Sequence, residues 1–82
     1  MDEYVVYVLY SDRYGKHYVG YTSDLIDRFA SHNRLATKGW TVAYRPWRVL
    51  FVEFHSNKRE ALAREKWLKS GKGREFIKTL QH

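Results

Sequence analysis

The sequence predicts one α/β domain in which helices flank a three-stranded antiparallel sheet. Three short runs of β-branched and aromatic residues indicate strands, and two segments with apolar residues at helical spacing indicate helices. Their order is ββαβα, followed by a short C-terminal helix. A chain of 82 residues with no repeat, low-complexity tract or linker favours a single domain over residues 1–82.

The first two strands are predicted to form a hairpin. Tyr4–Tyr10 is apolar on both faces, as in a strand covered on both sides. Ser11–Lys16 contains Asp12 and Gly15 and is typical of a turn, and His17–Tyr21 is the second strand. Gly20 within a strand indicates a bulge or a close approach of another group to the backbone.

The next elements are a helix, a loop and the third strand. Side-chain oxygens at residues 22–24 can cap a helix that runs to about Asn33. The segment Arg34–Pro46 has no regular period and is predicted to be a loop. Trp47–Phe54 is rich in valine and phenylalanine and predicts the third strand.

Two helices complete the chain. Asn57 to Glu60 has the spacing of a capping box and opens a helix that is predicted to end near Ser70, with Gly71 as its stop. The last helix is predicted over Arg74–Leu80. It would place three apolar residues inward, namely Phe76, Ile77 and Leu80.

Charge and composition restrict the partner. The formal net charge is +6 and the isoelectric point about 9.7, which favours a polyanionic partner such as nucleic acid over a merely soluble basic protein, and no small-molecule cofactor is expected. The cations are spread over several segments, which argues against a membrane-binding helix. The chain has no cysteine, no apolar stretch of membrane-spanning length and no leader pattern, so a cytoplasmic location is expected.

Glu65 interrupts the apolar stripe of the second helix. Ala61, Leu62 and Leu68 would face inward, and position 65 should then also be apolar. A carboxylate on such a face needs a metal, a cation or a cluster of donors. Glu65 is therefore a candidate metal ligand, and an ion pair with Arg28 is the alternative.

Arg28 and His32 lie one turn apart on an edge of the first helix. The planar guanidinium of Arg28 suits a phosphate, although an ion pair with Asp24 would serve a purely structural role. His32 can donate to a phosphate or polarise a water. It can equally provide favourable charge near the C-terminus of the helix.

Tyr7 and Tyr18 are candidate catalytic phenols. Tyr18 shares a strand face with Gly20, which gives its hydroxyl room. A phenol has a pKa near ~10 and acts as a general base only beside positive charge, from Arg28, Lys16 or a metal.

Cations interleaved with aromatic residues form a candidate nucleic-acid surface. Such a pattern can neutralise a phosphate backbone and stack on bases. Trp47 lies within this region, but we expect it to anchor the loop to the core. The predicted nucleic-acid-binding residues are Lys16, Arg34, Lys38, Trp40, Arg45, Arg48, Lys69 and Lys72.

Over residues 4–80 the chain resembles the GIY-YIG nucleases, specifically their small single-domain bacterial branch. Val5-Val6-Tyr7 occupies the first motif and Tyr18-Val19-Gly20 the second. Residues 25–33 look like the family's arginine helix, with Arg28 and His32 in place. Residues 60–69 look like its glutamate helix, with Glu65 as the metal-binding acid.

The resemblance implies metal-dependent cleavage of phosphodiester bonds. One Mg²⁺ or Mn²⁺ would be held by Glu65, Arg28 would bind the phosphate, and Tyr7 or Tyr18 would help to deprotonate the attacking water. DNA is the expected substrate, in repair, recombination or processing of branched or damaged DNA. A binding module of the same fold with negligible turnover, and a nuclease acting on RNA, are the alternatives.

Overall fold

The chain forms the predicted three-stranded antiparallel sheet. The computed structural model describes residues 3–30, 32–33 and 40–80. Strands β1 (Tyr4–Ser11), β2 (Lys16–Thr22) and β3 (Arg48–His55) are arranged in the order β2-β1-β3. The central position of β1 explains why Tyr4–Tyr10 is apolar throughout, since all side chains of residues 5–9 are buried.

The β1–β2 hairpin brings Gly20 directly opposite Tyr7. Gly15 closes the turn with a φ of 63°, a conformation that favours glycine, and its N–H donates to the Ser11 carbonyl at 2.8 Å. A Cβ at Gly20 would lie 2.5 Å from the Tyr7 hydroxyl oxygen. The close approach predicted from the sequence at Gly20 is therefore confirmed.

Helices and loops cover both faces of the sheet. On one face, Val6, Val8 and Val19 pack against α2 (Lys58–Leu68) and α3 (Gly71–Leu80). On the other face, buried Tyr7, Leu9 and Trp47 contact partly buried residues of α1 (Leu25–Ala30) and neighbouring segments. No helix within residues 3–30, 32–33 and 40–80 is long and apolar enough to span a bilayer.

The connection between α1 and β3 differs from the predicted continuous loop. Within it, Trp40–Tyr44 forms a short 3₁₀ helix. The helix predicted to reach Asn33 is assigned as α-helix only over Leu25–Ala30. Trp47 lies just before β3 and is 3% exposed, and its indole N–H donates to the Thr41 carbonyl at 2.8 Å, which confirms its anchoring role.

Asn57 caps α2 as predicted, and its side-chain oxygen accepts from the Glu60 N–H at 2.9 Å. The prediction that Leu62 faces inward is wrong, because Leu62 is 39% exposed. Ala61 and Leu68, two turns apart, are the buried residues of α2. Successive residues of an α-helix are rotated by about 100°, so Leu62 points away from the side of α2 on which Ala61 and Leu68 are buried.

The predictions that Gly71 stops α2 and that the last helix begins at Arg74 are also wrong. α2 ends at Leu68 with Lys69 as C-cap in a right-handed conformation, so no left-handed glycine is needed. Ser70 instead opens α3, since its carbonyl accepts from the Arg74 N–H at 2.9 Å and its hydroxyl from the Gly73 N–H at 3.3 Å. Gly71 is therefore the first residue of α3.

Candidate active site

An open cleft of about 460 Å³ lies beside the β1–β2 hairpin. Its walls include Tyr7 from β1, Tyr18 from β2, Arg28 from α1 and Glu65 from α2. Four elements thus contribute one predicted catalytic side chain each: three consecutive ones near the N-terminus, and α2, which is distant in sequence. The remaining lining residues are Tyr4, Gly20, Tyr21, Thr22, Ser23 and Lys58.

The Tyr7 hydroxyl is buried against the fifth predicted catalytic residue, His32. Tyr7 is 1% exposed, and its hydroxyl oxygen lies 3.0 Å from His32 Nε2. Burial raises the pKa of Tyr7 strongly, the nearby Tyr18 and Glu65 add to this increase, and Arg28 opposes it. Tyr7 is therefore a neutral phenol at physiological pH.

His32 is buried and held from its other ring nitrogen as well. Its Nδ1 lies 3.1 Å from the Thr41 hydroxyl. Burial lowers the pKa of His32 below 6.5, and the positive charges of Arg28 and Arg45 lower it further. The imidazole is therefore neutral at pH 7, with one nitrogen available to accept a proton.

Contacts distant in sequence fix the position of His32. Arg45 Nε donates to the His32 carbonyl oxygen. The neighbouring Asn33 accepts from the Trp47 N–H at 2.6 Å and donates to the Trp47 carbonyl at 2.9 Å. Residues of the segment that leads into β3 thus hold His32 and Asn33 in place by hydrogen bonds. The same segment contains Thr41, which contacts the imidazole.

Glu65 faces the cleft with a largely buried side chain, 18% exposed. The described side chain that lies within ion-pair distance of it is Lys69, whose Nζ is 3.7 Å from Glu65 Oε2. The alternative of an ion pair between Glu65 and Arg28 is not what the structure shows. At 3.7 Å with a half-exposed lysine, this pair is weak and leaves the carboxylate open to another cation.

Arg28 projects from α1 and is exposed at the rim of the cleft. Its backbone N–H donates to the Asp24 carbonyl at 3.1 Å in the first turn of the helix. Arg28 lines the cleft together with Tyr7 and Tyr18, and its positive charge lowers the pKa of Tyr7 and that of His32. An exposed guanidinium beside two phenols can bind a phosphate that enters from solvent.

The residues predicted to bind nucleic acid differ in their exposure and in their partners within the protein. Lys16 and Lys72 are exposed, and Lys16 lies over the Tyr44 ring at 5.7 Å. Arg48 is paired with Asp12 at 2.7 Å, and Arg45 is bonded to His32, so both have partners within the protein. Arg34, Lys38 and the side chain of Trp40 lie outside the described residues.

Sequence reasoning did not identify two residues of this region. Lys58 lines the cleft from the first turn of α2, and in the sequence it is one cation among many. Thr41 is buried at 9% exposure and contacts His32 only because the chain folds back. No local pattern distinguishes such a threonine from one in a solvent-exposed loop.

A family model described as the GIY-YIG catalytic domain matches residues 3–79. The chain belongs to the GIY-YIG family. This agrees with the cleft, whose tyrosines, arginine and glutamate occupy the motif positions that suggested the resemblance. Membership in the family indicates a nuclease fold and a nucleic-acid substrate.

Small bacterial proteins are similar to this GIY-YIG chain over most of its length. The UPF0213 proteins of Staphylococcus aureus strains Mu3 and Mu50 are each 34% identical over 70 residues, covering 85% of this chain and 84% of theirs. The solution NMR structure of a UPF0213 protein from Bacillus halodurans is 27% identical and covers 96% of this chain and 85% of that one. Its TM-score is 0.57.

Proposed function

We propose that this GIY-YIG protein is a metal-dependent endonuclease that hydrolyses DNA phosphodiester bonds. The observation that carries the proposal is the cleft in which Tyr7, Tyr18, Arg28 and Glu65 converge from four elements. A phosphate binder, a carboxylate and phenols in one open cleft form a set of groups suited to phosphodiester hydrolysis. A purely structural role would not require these polar groups to share one cleft.

Arg28 and Lys58 bind the phosphate in this proposal. Both line the cleft and both are exposed, so they meet the substrate without losing a buried partner. The guanidinium can donate two parallel hydrogen bonds to phosphate oxygens, and the lysine adds a point charge. Together they orient the phosphorus atom and offset charge that develops on its oxygens.

The residues of the cleft fit one hard divalent cation. Glu65 supplies a single, largely buried carboxylate, and the described residues contain no cluster of three histidine, cysteine or acidic side chains. One carboxylate plus phosphate oxygens suits Mg²⁺ or Mn²⁺, which retain several waters, and does not suit a zinc cage. When bound by Glu65, such an ion would act as a Lewis acid on the phosphate.

Tyr7 and His32 accept the proton of the attacking water. We assign the hydrogen of the neutral imidazole to Nδ1, which donates to Thr41, while the Tyr7 hydroxyl donates to Nε2. As water attacks phosphorus, a new P–O bond forms and the bond to one ester oxygen breaks. The water transfers one proton to the Tyr7 oxygen, Tyr7 transfers its own proton to Nε2, and the leaving oxygen takes a proton from solvent. The phenol remains neutral throughout, which is consistent with its raised pKa, and the imidazole becomes the cation.

The ring of Tyr18 packs beside His32 and Tyr7 and restricts the orientation of both rings. Its ring centroid lies 4.7 Å from that of His32 and 6.3 Å from that of Tyr7. The bond from the Tyr7 hydroxyl to His32 favours Tyr7 over Tyr18 as the group that relays the proton. Tyr18 then presents an aromatic face to the sugar or base that flanks the reacting phosphate.

The experiment incubates the protein with flap, branched, single-stranded and duplex DNA and with matched RNA, each in Mg²⁺, Mn²⁺ or EDTA. We expect cleavage of at least one DNA structure with either metal and none in EDTA. Cleavage that persists in EDTA would contradict the metal mechanism. Cleavage of RNA alone would reassign the substrate, and binding without any cleavage would favour the nucleic-acid-binding module. A branched or flap preference would support a role in repair or recombination.

A further inference from the structure

A second, smaller cleft of about 180 Å³ shares Tyr18 with the larger one. It is lined by His17, Tyr18 and Val19 of β2, by Lys69 at the end of α2, and by Arg74 in α3. Three of these five side chains are basic or can become so. None of the five carries a negative charge.

The cations of this cleft are available to an external anion. Arg74 is exposed and forms no ion pair with any described residue, and Lys69 has only its weak contact with Glu65. His17 and Arg74 line the same cleft, and the pKa of His17 is lowered by burial and, to a smaller extent, by the charge of Arg74. Arg74 therefore has no counterion among the described residues of this cleft, and a bound anion would supply one.

The two clefts are adjacent. Tyr18 lines both of them, and Lys69 of the smaller cleft reaches Glu65 of the larger one. A chain that carries regularly spaced negative charges can therefore occupy both clefts at once. Its intervening unit would lie against the ring of Tyr18.

We propose that the smaller cleft binds a second phosphate of the same nucleic-acid strand, next to the phosphate that is cleaved. The strand passes over Tyr18, with one phosphate at Arg28 and Glu65 and its neighbour between Lys69 and Arg74. The inference rests on the proposed nuclease function, but binding tests it separately from cleavage. The ligand is the phosphodiester backbone, common to DNA and RNA.

The test compares Arg74→Gln with Lys78→Gln in EDTA, where binding is measured without turnover. Both residues are exposed on α3 and both variants remove one positive charge, but Lys78 lines neither cleft. Fluorescence anisotropy with labelled octathymidylate and octauridylate gives the dissociation constants over a range of salt concentrations. We expect Arg74→Gln to weaken binding of both by about fivefold and to reduce the salt slope by ~0.7, as for one lost phosphate contact, while Lys78→Gln stays near wild type.

A direct readout uses the unmodified protein. Addition of octathymidylate should shift the backbone amide signals of His17 and Val19 in ¹H–¹⁵N NMR spectra. Equal affinities of the two variants, or unshifted signals at residues 17 and 19 under saturation, would overturn the subsite. If the wild-type protein cleaves DNA but Arg74→Gln and Lys78→Gln bind equally well, the nuclease function is supported and the subsite is not. Binding that depends on Arg74 without any cleavage would support the subsite and contradict the nuclease.

Discussion

The hydroxyl of Tyr7 and the imidazole of His32 are buried together, and this burial determines the protonation states that they hold. The raised pKa of Tyr7 keeps the phenol protonated, and the lowered pKa of His32 keeps the imidazole neutral at pH 7. The cleavage rate should therefore be constant near neutrality. It should decline only below pH 6.5, where His32 becomes protonated and can no longer accept a proton.

Thr41→Val should slow cleavage without impairing the fold. Valine has nearly the shape of threonine but cannot accept the bond from His32 Nδ1–H. Loss of one such bond, at ~0.5–1.5 kcal/mol, predicts a decrease in kcat of about three- to tenfold with KM little changed. The bond stabilises the imidazolium more than the imidazole, so its loss should also move the acid limb of the pH–rate profile to lower pH.

Thr79→Val is the matched control for Thr41. The Thr79 hydroxyl donates to the Phe76 carbonyl within α3. Thr79 is exposed and lines neither cleft. This variant should retain the wild-type kcat and pH profile. An unchanged profile in Thr41→Val as well would show that Thr41 does not position the imidazole for proton transfer.

The β1–β2 hairpin is the element that aligns the two tyrosines. Its register pairs Tyr7 with Gly20 and Leu9 with Tyr18, so the two phenols lie on adjacent strands and face the same cleft. Only a glycine at position 20 leaves space for the Tyr7 hydroxyl. The hairpin therefore explains the glycine of the second motif by a packing requirement.

Gly20→Ala should displace Tyr7 and reduce both stability and activity. The new Cβ would lie 2.5 Å from the Tyr7 hydroxyl oxygen, which forces the ring or the strands apart. Overpacking of this kind costs about 1–3 kcal/mol of unfolding free energy, measured by denaturant titration. Cleavage per folded molecule should fall at least tenfold, because the bond between Tyr7 and His32 is disrupted.

Gly71→Ala provides the control for that substitution. No atom lies within 4 Å of a Cβ at Gly71, and its φ is negative. Alanine should therefore be tolerated there with stability and cleavage close to wild type. Retention of full activity in Gly20→Ala would mean that the position of the Tyr7 hydroxyl is not critical.

Some elements could be predicted from the sequence because their signals are local. The strand runs, the turn at Gly15 and the cap at Asn57 each depend on a few neighbouring residues, and all were confirmed. The predicted start of α3 was wrong because Ser70 caps α3 immediately after the end of α2. In the sequence, Gly71 at this place suggested the end of a helix instead of the start of one. Contacts such as Thr41 with His32 depend on chain reversal and leave no local signal.

At the scale of the whole molecule, the two faces of the sheet are packed differently, and the cleft draws on both, since Glu65 lies on α2 and Arg28 on α1. The face beneath α2 and α3 is an apolar core built on Val6, Val8 and Ile77. The opposite face carries Tyr7, whose hydroxyl bonds to His32, and Trp47 is buried on the same face. The order of motifs along the chain predicted which residues belong to the site, but only the packing of four elements around one cleft shows how they meet.

The net charge of +6 is also a property of the whole molecule. Arg45 and Arg48 have partners within the protein, so the cations best placed to meet a phosphate backbone are those around the two clefts. Lys58, Lys69 and Arg74 supply this charge from α2, its C-terminus and α3. The charge thus supports binding next to the candidate catalytic groups.

Glu65→Gln tests the central claim most directly. The substitution keeps the volume of the side chain and removes the charge that a divalent ion requires. Melting temperature, DNA affinity and Mn²⁺-dependent cleavage are measured on the same preparation. Glu75→Gln, at an exposed position of α3, is the charge-matched control. We predict cleavage at background for Glu65→Gln, a melting temperature within about 3 °C of wild type and affinity at least as high, since an anion facing phosphate is gone. A lower melting temperature with unchanged cleavage per folded molecule would instead show that Glu65 is a structural partner and contradict the account.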